Sequence, residues 1–135
     1  MLSKTLFLVK PDAVARGMAG EILAQAEREG FRLERLELQR WDRARAEAFY
    51  DVHRGKPFFA ALVEHTVSGP VVAAVLAGED IVARVRILNG ATDPALAAPG
   101  TLRRKYGLTP NHNAVHGSDS PDAAAYEIAV VFGDD

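Results

Sequence analysis

The segment Val71-Val72-Ala73-Ala74-Val75-Leu76 is apolar at every position and lies between Gly69-Pro70 and Gly78. An alternating pattern marks a strand with one wet face, whereas an unbroken run of this length marks a strand buried on both faces, in the middle of a sheet. The rest of the chain must supply neighbouring strands and elements to cover them. At 135 residues with 48% hydrophobic content, one domain spanning 1–135 has the apolar material for such a core, and two domains do not fit comfortably.

Thr5 to Val9 predicts a first strand that stops at Lys10-Pro11-Asp12, because proline cannot donate to a ladder. Gly20 to Gly30 predicts a helix closed by a glycine suited to the left-handed position. Phe31 to Arg40 predicts a second strand in which the apolar phase slips from Phe31 and Leu33 to Leu36 and Leu38, as a bulge or twist requires. Asp42 caps a short helix reaching Tyr50, Pro57 opens another through Leu62 and Val63, and the two form a hairpin. After the Val71–Leu76 strand, Ile81, Val85 and Leu88 recur at helical spacing until Asn89-Gly90. Ala91 to Gly117 lacks regular patterning, which marks a functional or disordered loop. Ser120-Pro121 opens a short helix, and Ile128 to Phe132 reads as the last strand. Two βαβ-like halves of this kind predict an α/β (α+β sandwich) fold of ferredoxin-like type, a four-stranded antiparallel sheet with helices on one face.

Sixteen Lys+Arg against eighteen Asp+Glu leave a net charge of −2, so no overall basic field calls for nucleic acid or an anionic membrane, and any anion must be caught locally. The absence of cysteine removes disulfides, thiolate metal sites and thiol catalysis. With no run of about 18 apolar residues and no apolar leader at the N-terminus, the expectation is a soluble cytoplasmic protein without a membrane partner.

Among His53, His65, His112 and His116, the last sits between apolar residues and a hydroxyl-rich turn, Asn113-Ala114-Val115-His116-Gly117-Ser118-Asp119-Ser120. A neutral imidazole attacks phosphorus directly near neutral pH, whereas serine needs a strong base beside it. The competing reading of His116 is a histidine bonded to its own loop. Arg84, Arg86, Arg103, Arg104, Lys105, Lys10 and Thr92 offer the cations and donors that phosphoryl transfer needs, or else a merely solvated face. Neither a Walker-type phosphate loop nor a dinucleotide fingerprint occurs. Phe58 and Phe59, adjacent at a helix start, cannot both face one core, so one ring is free to stack on a nucleobase unless both are buried against the sheet.

Six segments, in order, carry a resemblance. They are Val9-Lys10-Pro11-Asp12; Tyr50-Asp51-Val52-His53 with Lys56-Pro57-Phe58-Phe59; Ser68-Gly69-Pro70-Val71-Val72-Ala73; Gly90-Ala91-Thr92-Asp93-Pro94; Pro99-Gly100-Thr101-Leu102-Arg103; and Asn113 to Ser120. Together, over Thr5 to Phe132, the chain resembles the nucleoside diphosphate kinases. The resemblance implies transfer of the γ-phosphate of a nucleoside triphosphate, typically ATP, to a diphosphate by a ping-pong route through phosphorylated His116. It implies that Glu127 holds His116, with Ser118, Tyr50 and Lys10 close to the transferred group. Lys10 and Asn113 would bind the ribose, and His53, Arg86, Thr92 and Arg103 the phosphates. Phe58, Leu62 and Pro110 would flank the base, with little selection among bases. Mg²⁺ held by the phosphates, with no protein metal cluster, and a homo-hexamer or homo-tetramer are implied as well.

Ala13, Val85 and Asp93 depart from the family pattern, as do Pro110 and the pair Arg104-Lys105, which replaces a small residue and an acid. Read as an extended segment, residues 103–105 send Lys105 in Arg103's direction, where it would steer anionic nucleotides. The rival function is a non-catalytic ferredoxin-like module that binds a nucleotide or scaffolds a partner. A histidine phosphatase lacks a base to activate water.

Overall fold

The computed structural model describes residues 2–133. The strand β1 (Leu2–Val9) is followed by helices α1 (Pro11–Ala15) and α2 (Ala19–Arg28), strand β2 (Arg32–Gln39), helices α3 (Arg43–Phe49) and α4 (Phe59–Val67), and strand β3 (Val71–Glu79). Helices α5 (Ile81–Asn89) and α6 (Leu102–Tyr106), the three-residue strand β4 (Val115–Gly117) and helix α7 (Pro121–Phe132) complete it. The four strands form one antiparallel sheet in the order β2-β3-β1-β4. Each βαβ half is split, with β3 inserted between β1 and β2, and β1 between β3 and β4, which is the ferredoxin-like order.

Local signals explain most boundaries. The β1 ladder ends before Pro11, and Gly30, at φ 90°, ends α2 in the left-handed region that glycine occupies without penalty. The slipped apolar phase of the second strand is a register shift between Leu33 and Arg35. Asp42 accepts from Arg45 N–H at 2.8 Å and Ser120 from Ala123 N–H at 3.1 Å, both as N-caps. Pro57 lies in the turn before α4 rather than inside it, so this helix starts two residues later than the proline suggested.

Three expectations are corrected. Ile128–Phe132 is not a strand but the second half of α7; Ala124, Ile128 and Val131 follow a helical spacing and meet the sheet. The fourth strand is instead Val115–Gly117, inside the segment without regular pattern, which also contains α6. Helices cover both faces of the sheet, not one. Phe7, Val9, Ala74 and Leu76 pack with Ala13, Ile22, Val85 and Leu102 from α1, α2, α5 and α6. Leu6, Leu8, Val71 and Ala73 point the other way, against Trp41, Phe49, Val63 and Val131. The crossover helices of the two βαβ halves share the first face, and the hairpin α3–α4 with α7 forms the second.

The residue opposite His116 in the ladder is Leu8, fully buried in the second layer. Leu8→Ala is expected to lower stability by about 2–5 kcal/mol, the cost of a core truncation plus its cavity. Urea unfolding checks this through a lower midpoint at an unchanged slope.

Candidate active site

His116 is the middle residue of β4, and its Nε2 lies 2.8 Å from Glu127 Oε1 on α7. A carboxylate only accepts, so in the neutral imidazole Nε2 carries the proton and Nδ1 keeps its lone pair. Ser118 Oγ donates to the same Glu127 oxygen at 2.7 Å and accepts from the Leu6 N–H at 3.2 Å, which ties the carboxylate to the sheet. Phe49 meets the imidazole edge-on, with ring centres 5.0 Å apart.

The ring faces a cleft of about 670 Å³. Every expected site residue except one lines it: Lys10, Tyr50, His53, Phe58, Leu62, Arg86, Thr92, Arg103, Pro110, Asn113, His116 and Glu127. The exception is Ser118, which is fully buried behind Glu127 and does not reach the cleft. Asn89 and Asp119 also line it and were missed from sequence, Asn89 because it looked like a helix stop.

Lys10, immediately after β1, sends its ammonium to Asn113 Oδ1 at 3.0 Å and to the Asn111 carbonyl at 3.3 Å. Asn113 Nδ2 in turn donates to the Thr92 carbonyl at 3.0 Å. Arg103 donates to the Gly90 and Val115 carbonyls at 3.0 and 2.9 Å, and Arg86 pairs with Asp119. Burial lowers Lys10 to a pKa of about 8, with Asp12 opposing and Arg103 adding to the shift; burial and then the charge of Arg86 lower Arg103 to about 10. Burial raises the Tyr50 phenol, which stays a protonated donor. Among the described residues, the buried polar side-chain atoms without a partner are Thr5 Oγ1, His53 Nδ1, Asn89 Oδ1 and Arg103 Nε, and the last three belong to residues of this cleft. Desolvated cations and orphaned polar atoms around one cavity fit an anionic, hydrogen-bonding ligand. Phe58 is half exposed at the rim, while Phe59 packs into the second layer, which resolves the two adjacent rings.

The steering role expected of Lys105 is overturned. Residues 102–106 are helical, so Lys105 and Arg103 point to different sides; Lys105 pairs with Gln25 on α2, and Arg104 donates to the Ala95 and Ala97 carbonyls. Neither lines the cleft.

The nucleoside diphosphate kinase family model matches residues 3–135. The chain belongs to the nucleoside diphosphate kinase family. It is 48% identical over 132 residues to a nucleoside diphosphate kinase of Staphylothermus marinus, covering 98% of this chain and 94% of that one. With the Desulfovibrio desulfuricans enzyme the identity is 50%, covering 98% and 95% of the two chains. The Aquifex aeolicus nucleoside diphosphate kinase superposes with a TM-score of 0.96 at 47% identity, covering 98% and 96%. A halophilic nucleoside diphosphate kinase from Halobacterium salinarum, solved in complex with CDP, gives 0.95 at 43% identity, covering 99% and 90%. The chain is accordingly a phosphotransferase acting between nucleotides, and the reading as a non-catalytic module is not favoured.

Lys10 generates opposite pH dependences for binding and folding. As pH rises through about 8 the free protein loses this cation, so affinity for a nucleoside diphosphate should fall. Lys10→Gln should remove that limb and weaken binding about tenfold or more near neutral pH, the worth of a charge-assisted hydrogen bond. Because the folded pKa lies below the ordinary 10.5, the unfolded chain binds more protons between about 8 and 10.5, and Lys10's contribution to stability rises with pH across that window. Fluorescent-nucleotide titration and urea unfolding across the window check the two signs.

Proposed function

We propose that His116 takes the γ-phosphate of a nucleoside triphosphate, typically ATP, as a phosphoramidate and passes it to a nucleoside diphosphate in a ping-pong cycle. The observation that supports this most is the Glu127–His116 hydrogen bond, which in the neutral imidazole leaves Nδ1 unprotonated in a cleft that Arg86, Arg103 and Lys10 also line. In the first half-reaction Nδ1 attacks the γ-phosphorus, the bond to the bridging oxygen breaks, and the diphosphate departs with that electron pair. The second half-reaction runs the same step backwards onto a new diphosphate, and Glu127 stabilises the imidazole as it gains positive character.

Tyr50 and Lys10 serve as donors near the transferred group, and Ser118 acts one step removed, by holding Glu127. Arg86, Arg103, His53 and Thr92 bind phosphates, Lys10 and Asn113 bind the ribose, and Phe58, Leu62 and Pro110 flank the base. The CDP complex of the Halobacterium salinarum relative supports a cleft that accepts a pyrimidine nucleotide. The same reading takes Mg²⁺ to arrive on the nucleotide, whose phosphates would hold it. When bound, that ion neutralises phosphate charge.

The same reading takes residues 1–135 as a single domain, cytoplasmic, and assembled as a homo-hexamer or homo-tetramer. Exposed Leu36 and Leu38 on the edge strand β2, with Leu96 and Leu108 in the Ala91–Gly117 segment, support assembly, since free edges and exposed leucines are faces that oligomers cover. Sedimentation should return the mass of four or six chains.

Incubation with γ-labelled ATP should give an alkali-stable, acid-labile label that is discharged by added GDP as GTP. His116→Ala should take up none; alkali-stable label on that variant would overturn the assignment. Phe58→Ala should lower kcat/KM by roughly one to two orders of magnitude for purine and pyrimidine nucleotides alike, because stacking contributes about 1–3 kcal/mol per base without reading its edge. Full activity of that variant on ATP and GTP would remove Phe58 from the base site.

A further inference from the structure

Ala114, two residues before His116, has φ 75°, a left-handed conformation that a residue with a side chain adopts only under constraint. The Val115 N–H donates across it to the Asn113 carbonyl at 2.9 Å, closing a three-residue turn of the rare left-handed kind. Something must hold that turn, and the holders are identifiable. The Lys10 N–H donates to the Ala114 carbonyl at 2.7 Å, and the Ala114 N–H donates to Asp12 Oδ2 at 3.1 Å. The Asp12 side chain is covered; its Oδ2 also pairs with Arg16 at 3.6 Å, and its Oδ1 accepts from His65 Nε2 on α4 at 2.9 Å. Burial raises the Asp12 carboxyl, but the hydrogen bond and charge of His65, with Lys10, outweigh it and hold the group ionised below its ordinary range.

His65 has a second contact. Its ring lies flat on that of His112, with centres 4.0 Å apart and an interplanar angle of 15°. His112 closes the turn that carries Pro110 and Asn111: its N–H donates to the Thr109 carbonyl, and its own carbonyl accepts from the Leu108 and Thr109 N–H groups. On α4, Phe58, Leu62 and His65 follow one another at helical spacing, so the helix that forms one wall of the cleft is fastened at His65 to the loop that forms the opposite wall.

We propose that His65 is a positioning residue for phosphoryl transfer. Its Nε2–H fixes Asp12, and through it the strained Ala114 turn that aims His116. Its ring face, stacked on His112, fixes the spacing between Phe58 and Pro110 on either side of the base. The inference rests on His116 being the phosphorylated residue. The two contacts are chemically separable, since glutamine keeps an N–H donor at similar reach without the flat ring, and phenylalanine keeps the ring without the donor. If Oδ1 of Asp12 loses the His65 donor, the carboxylate is free to turn toward Arg16, Ala114 relaxes and the strand carrying His116 shifts, and shifts of about 1 Å at a reacting group can cost about a hundredfold.

The test measures kcat and KM for ATP-to-GDP transfer, with γ-phosphate labelling and urea unfolding, in four proteins: wild type, His65→Phe, His65→Gln and His112→Ala. His65→Phe should lower kcat about tenfold or more with KM within about twofold. His65→Gln should keep kcat within about twofold and raise KM several-fold, and the exposed His112→Ala should reproduce that rise. Equal losses of kcat and KM in both His65 variants that track their loss of stability, or wild-type kinetics in His65→Phe, would overturn the proposal. Should His65→Phe not fold, a His65→Gln or His112→Ala protein with unchanged KM overturns it, and raised KM in both supports it. Failure of the wild type to take up label would instead overturn the assignment of His116.

Discussion

The pairing of β4 with β1 is the constraint on which the site depends. It comprises three residue pairs, Phe7–Gly117, Leu8–His116 and Val9–Val115, on a strand that is buried along this stretch. Because side chains alternate across a strand, His116 shares a face with Leu8 and so meets Phe49 and Glu127, while Val115 and Gly117 face α5. A register slip of one residue would exchange these sets. Gly117 is part of the same constraint. A Cβ there would lie 2.9 Å from Asn89 Nδ2 and 3.0 Å from Val85 Cγ1, so the glycine lets α5 approach β4 closely enough for Arg86 and Asn89 to line the cleft.

What could be read from sequence follows the strength of local signals. The Val71–Leu76 run, the slipped phase near Leu33, the Asp42 and Ser120 caps and the glycine after α2 are all local, and each marks what the chain does. β4 is not local: three residues carry no periodicity, and they become a strand only because β1 offers an unpaired edge. The Ile128–Phe132 run is apolar because α7 is buried against one face, and the short stretch hid the helical spacing that begins at Ala124. The double burial of Val71–Leu76 already demanded cover on both sides of the sheet, which a one-sided arrangement of helices does not give.

The site divides in the same way. Imidazole chemistry and the hydroxyl-rich turn make His116 a candidate, but the residues alone leave open a histidine bonded to its own loop, and the family resemblance is what decides between the two. The remaining lining comes from segments scattered between Lys10 and Glu127, and only the family resemblance gathered them before a fold was in hand. Ser118 shows the limit of carrying roles by motif, since its hydroxyl is directed at Glu127 rather than into the cleft. Lys105 shows the limit of local geometry: an extended segment would send it the way of Arg103, and Thr101 instead caps a helical turn, which reverses the direction of the side chain.

The electrostatics explain how a chain of net charge −2 binds anions. The cleft gathers Lys10, Arg86 and Arg103, and among its lining residues the carboxylates are Asp119 and Glu127, the second already engaged by His116 and Ser118. Two of the three cations are buried enough to be held below their ordinary pKa, so in the free protein they stand partly desolvated, and Asp12 beside Lys10 and Asp119 beside Arg103 offset this only in part. Arg86 differs: it is half exposed and paired with the exposed Asp119. Exposed pairs of that kind are worth about 0–1 kcal/mol, so exchanging Asp119 for a phosphate oxygen costs little. Under the proposed function, Lys10 and Arg103, whose desolvation is already met by the fold, would gain a counter-charge in a setting of low dielectric where it counts for more than in water. The fold thus carries the cost of the site in advance, and under the proposed function the nucleotide's phosphates would supply the charge that offsets it.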